Sequence, residues 1–244
     1  NAELKEIVAL WNLPAKARRQ IFRILDENQP SSPPHIFRYY HPVPGAGRVE
    51  RLEKRFAEIS GARYCLAVNS GTSALIAALA ACGIGPGDEV IVPAYTFFAT
   101  CSAVVVCRAI PVIAEVDETL TLDPADFERK VTPRTKAVLP VHMRGLPCNM
   151  DRIMAIARKH GIRVIEDVAQ AGGGTYRGRW LGRFGDAGCF SFDFYKLIAT
   201  GEGGMVITDD EMVYVRAQSW HDTAACWRPN RFDRERMLGE LFCG

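Results

Sequence analysis

From residue 48 onward one pattern repeats along the chain: a short apolar run, a turn rich in Gly, Ser, Thr or Pro, and a helical stretch. Residues 64–68, 89–92, 111–116, 137–141 and 163–166 read as strands, and 188–192 and 205–208 as two more. Residues 49–60, 72–81, 99–107, 124–130 and 150–160 read as helices. In the first of these, Val49, Leu52, Phe56 and Ile59 recur at helical spacing. Asp123 stands where an N-cap is needed for the helix that starts at Pro124. Short apolar strands separated by helices imply a largely parallel sheet buried on both faces. The expected fold class is therefore α/β, a mostly parallel central sheet with helices on both faces. In such sheets ligands sit outside the carboxyl ends of the strands.

The first part of the chain has a different texture. Residues 1–28 read as helices, with Pro14 at a first helical position and a basic amphipathic stretch over 16–25. A proline-rich, aromatic connector follows, Q-P-S-S-P-P-H-I-F-R-Y-Y-H-P-V-P-G-A-G over 29–47. It reads equally as a linker packed on its own domain or as an arm over a pocket or a partner subunit. The expected division is residues 1–46 as helical arm and connector, and 47–244 as the main body. Lys and Arg number 30 against 28 Asp and Glu. So even a balance supplies no extended field for nucleic acid or a membrane surface, and neither is expected as a partner. The apolar run at 97–106 is too short to span a bilayer, and residues 1–11 are too charged for a secretion signal. Eight cysteines occur without any C-x-x-C spacing, mostly inside apolar runs. They read as buried free thiols of a cytoplasmic protein, and no metal site is expected.

Four motifs fall at strand ends. N-S-G-T-S-A-L (69–75) joins a strand to a helix. Gly71 allows a tight turn there, and the amides of Thr72 and Ser73 fall at a helix N-terminus, an anion site. The same residues also make an ordinary N-cap. P-A-Y-T-F-F-A-T (93–100) places Tyr95, Phe97 and Phe98 either in the core or as a stack for a flat heterocycle. V-I-E-D-V-A-Q-A (164–171) closes an apolar strand on Glu166 and Asp167. A carboxylate there is costly to bury unless it meets a cation or a protonated ring nitrogen. An N-cap or an ion pair with a nearby arginine answers the same need, and Gln170 adds a hydrogen-bonding group. Finally, F-S-F-D-F-Y-K-L-I-A-T-G-E-G-G-M-V-I-T (190–208) holds Lys196 between aromatic residues and a Gly-Glu-Gly-Gly turn, with Ser191 five positions earlier. An enclosed lysine can lose its proton and attack a carbonyl, whereas a surface lysine snorkels to water. Together, an anion cradle, a stacking aromatic, a strand-end Asp and an enclosed Lys meet the needs of pyridoxal 5'-phosphate.

With those residues in place, the chain resembles the DegT/StrS family of sugar and cyclitol aminotransferases, a branch of the fold-type-I pyridoxal-phosphate enzymes. The matching pieces are the four motifs together with G-R-V-E-R-L-E-K-R-F-A (47–57), G-P-G-D-E-V-I-V (85–92) and T-P-R-T-K-A-V-L-P-V-H (132–142). The resemblance implies that 47–244 is the cofactor-binding large domain. It implies that Lys196 is the Schiff-base lysine and the base that then moves the proton. Asp167 becomes the partner of the pyridine nitrogen, Gln170 reaches the ring hydroxyl, and Phe97, in preference to Tyr95, stacks on the ring. Gly71, Thr72 and Ser191, with Ser73 in the same turn, hold the phosphate. Glu202 is either structural or lines the substrate side.

Related deoxygenating dehydratases carry histidine at the lysine position, so Lys196 favours transamination. The implied reaction moves an amino group from glutamate or glutamine to a keto-sugar, often nucleotide-linked, or to a keto-cyclitol, in a homodimer. Other chemistry on the same cofactor (lyase, dehydratase or epimerase), or a non-catalytic cofactor-binding subunit of a split or regulatory assembly, are the alternatives. Two departures stand out. The family continues into a smaller C-terminal domain behind an N-Y-R-M-like motif, and this chain ends at Phe242-Cys243-Gly244, about where that motif should begin. The expectation is thus a fragment or one half of a split enzyme, without the small domain. In addition, Gly172-Gly173 replaces a residue that is often bulkier, and Met143-Arg144 replaces a usually apolar or aromatic pair. Arg144 then either contacts an acidic substrate or serves at a surface or interface.

Overall fold

The computed structural model describes residues 2–28 and 48–222. The proline-rich connector, Cys226, Cys243 and the end of the chain lie outside the described residues. The chain divides into two compact units, Asn1–Pro42 and Val43–Gly244. The first holds helices α1 (Ala2–Leu10) and α2 (Ala15–Glu27). Pro14 stands at the N-cap of α2, one residue before the first helical position expected for it. Its ring fixes φ, here −52°, and so sets the chain up for the turn that follows. Lys5 pairs with Asp26 at 2.5 Å and lies over the Phe22 ring, and no residue of α2 is buried.

The second unit is the α/β body. Its elements run α3 (Arg48–Ser60), β1 (Tyr64–Val68), α4 (Gly71–Ala81), β2 (Glu89–Pro93), α5 (Phe98–Val106), β3 (Ile110–Ala114), α6 (Pro124–Arg129) and β4 (Thr135–Val138). They continue through α7 (Met150–His160), β5 (Arg163–Asp167), a hairpin of β6 (Thr175–Tyr176) and β7 (Arg179–Trp180), β8 (Ala187–Ser191), β9 (Gly204–Thr208) and α8 (Glu211–His221). Seven strands form one sheet in the order β1-β9-β8-β5-β4-β2-β3. The pairs from β8 to β3 are parallel, and β9 is antiparallel to both of its neighbours.

Period-two alternation divides each strand between two cores. Val90 and Val92 of β2, Ile165 of β5, Cys189 of β8 and Val206 of β9 face one side, where α4, α5 and α8 pack. Ile91, Val138 and Val164 face the other, against Phe127 of α6 and Ile153 and Ile156 of α7. Further along that second face, Phe190, Met205 and Ile207 meet Phe56 of α3. The mostly parallel sheet covered on both faces is the architecture expected from the sequence.

Local differences have local causes. The strand expected over 137–141 stops at Val138, because Pro140 has no N–H to continue a ladder; its carbonyl instead accepts from Asp167 N at 2.9 Å. The strand expected to reach Val116 ends at Ala114, where Glu115 N turns to donate to the Asp126 carboxylate at 2.6 Å. Helix α8 was not anticipated, since Met212, Val213, Tyr214 and Val215 are consecutive and mark no single helical face. Its local signal is Asp210, whose carboxylate accepts from the backbone of both Met212 and Val213. The β6–β7 hairpin carries no Asn-Gly; Arg177 and Gly178 take the two left-handed positions at φ 49° and 78°.

Sheet and connection approach closely at Gly188 of β8. A Cβ added there would lie 2.4 Å from both Cα and O of Gly182, which are backbone and cannot step aside. Gly188→Ala is therefore expected to destabilise the body by about 1–3 kcal/mol, read as a lower urea midpoint at unchanged slope.

Candidate active site

The first wall of the site is the start of α4. Ser70 is its N-cap, and the Ser70 Oγ accepts from Ser73 N at 3.1 Å while also bonding Ser73 Oγ at 3.0 Å. Ser73 is thus engaged in the cap. Gly71 and Thr72, in the same first turn, have N–H groups that no intrahelical carbonyl can reach. Ser191, at the end of β8, stands directly against this turn: a Cβ on Gly71 would meet Ser191 Cβ at 2.6 Å and its Oγ at 3.1 Å. Gly204 opens the same corner, since a Cβ there would lie 2.4 Å from Ser70 O. Glycine at 71 and 204 is what lets a helix N-terminus, a serine hydroxyl and β9 converge. The result is a cradle of donors suited to a phosphate.

Asp167 ends β5 and forms the floor. It is 5 % exposed, accepts from Thr100 Oγ1 at 2.9 Å and from Ala169 N at 3.1 Å, and its backbone carbonyl accepts from His142 N. Thr100 in turn shares a 2.6 Å hydrogen bond with Thr96. Burial raises the Asp167 pKa above the ordinary carboxylate value; the bonds from Ala169 and Thr100 and the positive field of Lys196 work in the opposite direction without cancelling it. A buried carboxylate in that condition calls for one more positive partner, and a protonated ring nitrogen supplies one. The residues present therefore fit pyridoxal phosphate at both of its charged ends.

Lys196 lies on the loop between β8 and β9. Phe192 N donates to Gly203 O, Thr200 N donates to Phe192 O, and Lys196 N donates to Asp193 O, so the loop closes on itself. The lysine is half-buried, and its Nζ sits 5.8 Å from the centroid of the Phe97 ring. Phe97 caps α5 with extended backbone and is 64 % exposed, which presents a ring face rather than a core side chain. Glu202 is exposed, and its backbone carbonyl accepts from Thr200 Oγ1 at 2.7 Å.

Glu166, next to Asp167, plays a different part. It is wholly buried with His142. One carboxylate oxygen accepts from Gly182 N at 2.8 Å and meets His142 Nε2 at 3.1 Å; the other accepts from Phe184 N at 2.6 Å and Gly185 N at 2.9 Å. Burial disfavours a charged His142, whereas hydrogen bonds with Cys148 and Glu166 favour one. The Cys148 N–H, however, points at Nδ1 from 3.1 Å and leaves no space for a second proton. The neutral ring with its proton on Nε2 is the form this geometry holds.

Three residues that the sequence singles out separately are joined in the structure. Arg144 has left-handed backbone at φ 52°, ψ 28°, rare for a residue with a side chain. Its N–H donates to Gln170 Oε1 at 3.0 Å and its Nε to the Tyr95 hydroxyl at 3.2 Å. The structure thus joins Tyr95, Arg144 and Gln170 beside Asp167 and Phe97. The Gln170 amide N–H₂ remains available as a donor, with no acceptor among the described residues.

Ionising Asp167 costs folding free energy. A raised carboxylate contributes stability that is fully present below the ordinary pKa and lost as pH rises through the folded value. Asp167→Asn removes the charge, and the Thr100 hydroxyl can reverse to accept from the new amide. The variant is expected to melt at or above the parent temperature at pH 7 without cofactor, with the advantage gone at pH 3. Thermal melts at the two pH values check this.

The body matches the model of the DegT/DnrJ/EryC1/StrS aminotransferase family over residues 45–239. It is 46% identical over 194 residues to the GDP-perosamine synthase of Caulobacter vibrioides, a match covering 77% of this chain and 52% of that protein. It is 43% identical over 192 residues to the L-glutamine:2-deoxy-scyllo-inosose aminotransferase of Micromonospora echinospora, covering 78% and 45%. A solved structure of NtdA from Bacillus subtilis with bound cofactor PMP superposes with a TM-score of 0.66 at 32% identity, covering 85% of this chain and 45% of that one. The chain spans about half the length of the curated relatives it matches. With the family model matched across nearly all of the α/β body, the chain belongs to the DegT/DnrJ/EryC1/StrS aminotransferase family.

Proposed function

We propose that residues 47–244 form the pyridoxal-phosphate-binding large domain of an aminotransferase that moves an amino group from glutamate or glutamine to a keto-sugar or keto-cyclitol. The observation that carries the reading is the convergence of Lys196, Phe97 and Asp167 beside the Gly71–Ser191 cradle. The family and the activities of the relatives support it. When bound, the cofactor supplies an electron sink and a temporary carrier for the amino group.

The residues divide the remaining work. The N–H groups of Gly71 and Thr72, with the Ser191 hydroxyl, bind the phosphate. Phe97 gives the ring a face, and Gln170 donates to its hydroxyl. Asp167 holds a proton on the ring nitrogen, while Thr100 and Ala169 N fix the carboxylate in place. Lys196 Nζ anchors the aldehyde end and carries the proton during transfer. Beside Lys196, Phe98, Phe194, Tyr195 and Leu197 are 72–89% exposed. We read this apolar rim as the surface on which a second copy closes the site and excludes water. Free thiols at Cys65, Cys82, Cys101, Cys107, Cys148 and Cys189 accord with a cytoplasmic setting.

Two outcomes test the reading. The protein mixed with pyridoxal phosphate is expected to turn yellow and to bleach on addition of glutamate or glutamine; Lys196→Ala should lose the yellow band and amino transfer together. Retained transfer in that variant would overturn the lysine's role. In sedimentation velocity the protein is expected to run as a dimer, and Phe98→Asp with Leu197→Asp to shift it towards monomer.

A further inference from the structure

We propose that Arg144 is a carboxylate-binding residue that fixes the amino-acid donor at the mouth of the site. The proposal rests on the aminotransferase reading and adds the group that would recognise the donor's acid end. Three observations carry it. The first is the backbone. Arg144 sits in the left-handed region between Met143 and Gly145, itself at φ 83°, a conformation uncommon for a residue with a side chain. Its surroundings hold it there: the Arg144 N–H is held by Gln170 Oε1, and His142, two residues earlier, is locked by Glu166 on one ring nitrogen and Cys148 N on the other.

The second is the side chain. The Tyr95 hydroxyl accepts from Arg144 Nε at 3.2 Å, which orients the guanidinium and leaves both terminal nitrogens without a partner among the described residues. No carboxylate among the described residues pairs with it, unlike Arg129, Arg134, Arg163, Arg177 and Arg183, each of which has an acidic partner. A fixed, exposed guanidinium with its outer edge open is matched to the two oxygens of a carboxylate.

The third is position. Tyr95 stands two residues before Phe97, the ring beneath Lys196 Nζ, and Gln170 three residues after Asp167. Arg144 is therefore tied to the elements that carry both the stacking ring and the acid of the candidate site. An amino donor delivers its nitrogen to the reacting centre and trails a carboxylate, so an anchored positive fork at the rim is placed to set its orientation.

The test separates binding from turnover by using glutarate, a dicarboxylate without an amine, and glutaramide, its neutral counterpart, in calorimetric titrations. The parent protein is expected to bind glutarate, with Arg144→Gln weakening it about 10- to 100-fold and Arg144→Lys less, while glutaramide does not distinguish the three. Tyr95→Phe keeps the charge but frees the guanidinium; a loss of about 3- to 10-fold for glutarate is expected, and this variant serves if Arg144→Gln fails to fold. In the donor half-reaction, Arg144→Gln should raise the glutamate or glutamine concentration needed for half-maximal bleaching while leaving the yellow band itself intact. Equal glutarate affinity in parent and Arg144→Gln, or an equal loss for glutaramide, overturns the proposal. Failure of the parent to turn yellow overturns the aminotransferase reading instead, and the glutarate titration still decides whether Arg144 binds carboxylates.

Discussion

One buried carboxylate organises this body. Glu166 accepts three backbone N–H groups from the 182–185 segment and faces the His142 ring, all in the interior. A buried charge is tolerated only when its lone pairs are taken, and here four donors take them. The arrangement ties the end of β5 to the segment that leads into β8 and to the turn carrying Arg144. Asp167, one residue along, points to the other face of the sheet and is left less well compensated. The period of two along a strand thus gives adjacent acids opposite roles, one satisfied by the protein and one held ready for a ligand.

The glycines of the site do the geometric part. Gly71 and Gly204 permit contacts that any side chain would block, and they bring a helix N-terminus within reach of Ser191. The donor groups of the cradle are backbone and hydroxyl, fixed before any ligand arrives, so little conformational freedom is lost on binding. Lys196 is held differently. It hangs from a loop closed by backbone hydrogen bonds, with rotatable side-chain bonds between that frame and Nζ. Rigid backbone and hydroxyl donors and a movable amine are what a site needs if one end of a ligand stays fixed while the other reacts.

Most of the body was legible because its strands are buried on both faces and its helices carry apolar residues at helical spacing. The strand ends were not, since they depend on events such as Pro140 breaking a ladder and Asp126 diverting Glu115 N. Helix α8 escaped because its apolar residues answer to packing against α4 rather than to a regular period. At the candidate site, residue types in order pointed to Gly71, Phe97, Asp167, Ser191 and Lys196, which the structure places around the ends of β1, β5 and β8 and the start of α5. They left open whether Ser73 serves the cap, and did not reveal that Arg144, Tyr95 and Gln170 form one network. Those facts depend on side-chain directions set by a left-handed turn, and no spacing rule encodes that turn.

Strand β9 pairs with β1, so the first and last strands of the sheet lie side by side: Tyr64 opposes Thr208 and Val68 opposes Gly204. The phosphate cradle straddles that seam, with Gly71 just after β1 and Ser191 just before the loop into β9. Loop-closure entropy makes such long-range pairing slow, and contacts between distant parts of a chain tend to form last. During synthesis, then, the cradle cannot exist until nearly the whole body has left the ribosome. A nascent chain acquires this corner only after the sheet has closed, and its appearance becomes a clock for the completion of folding.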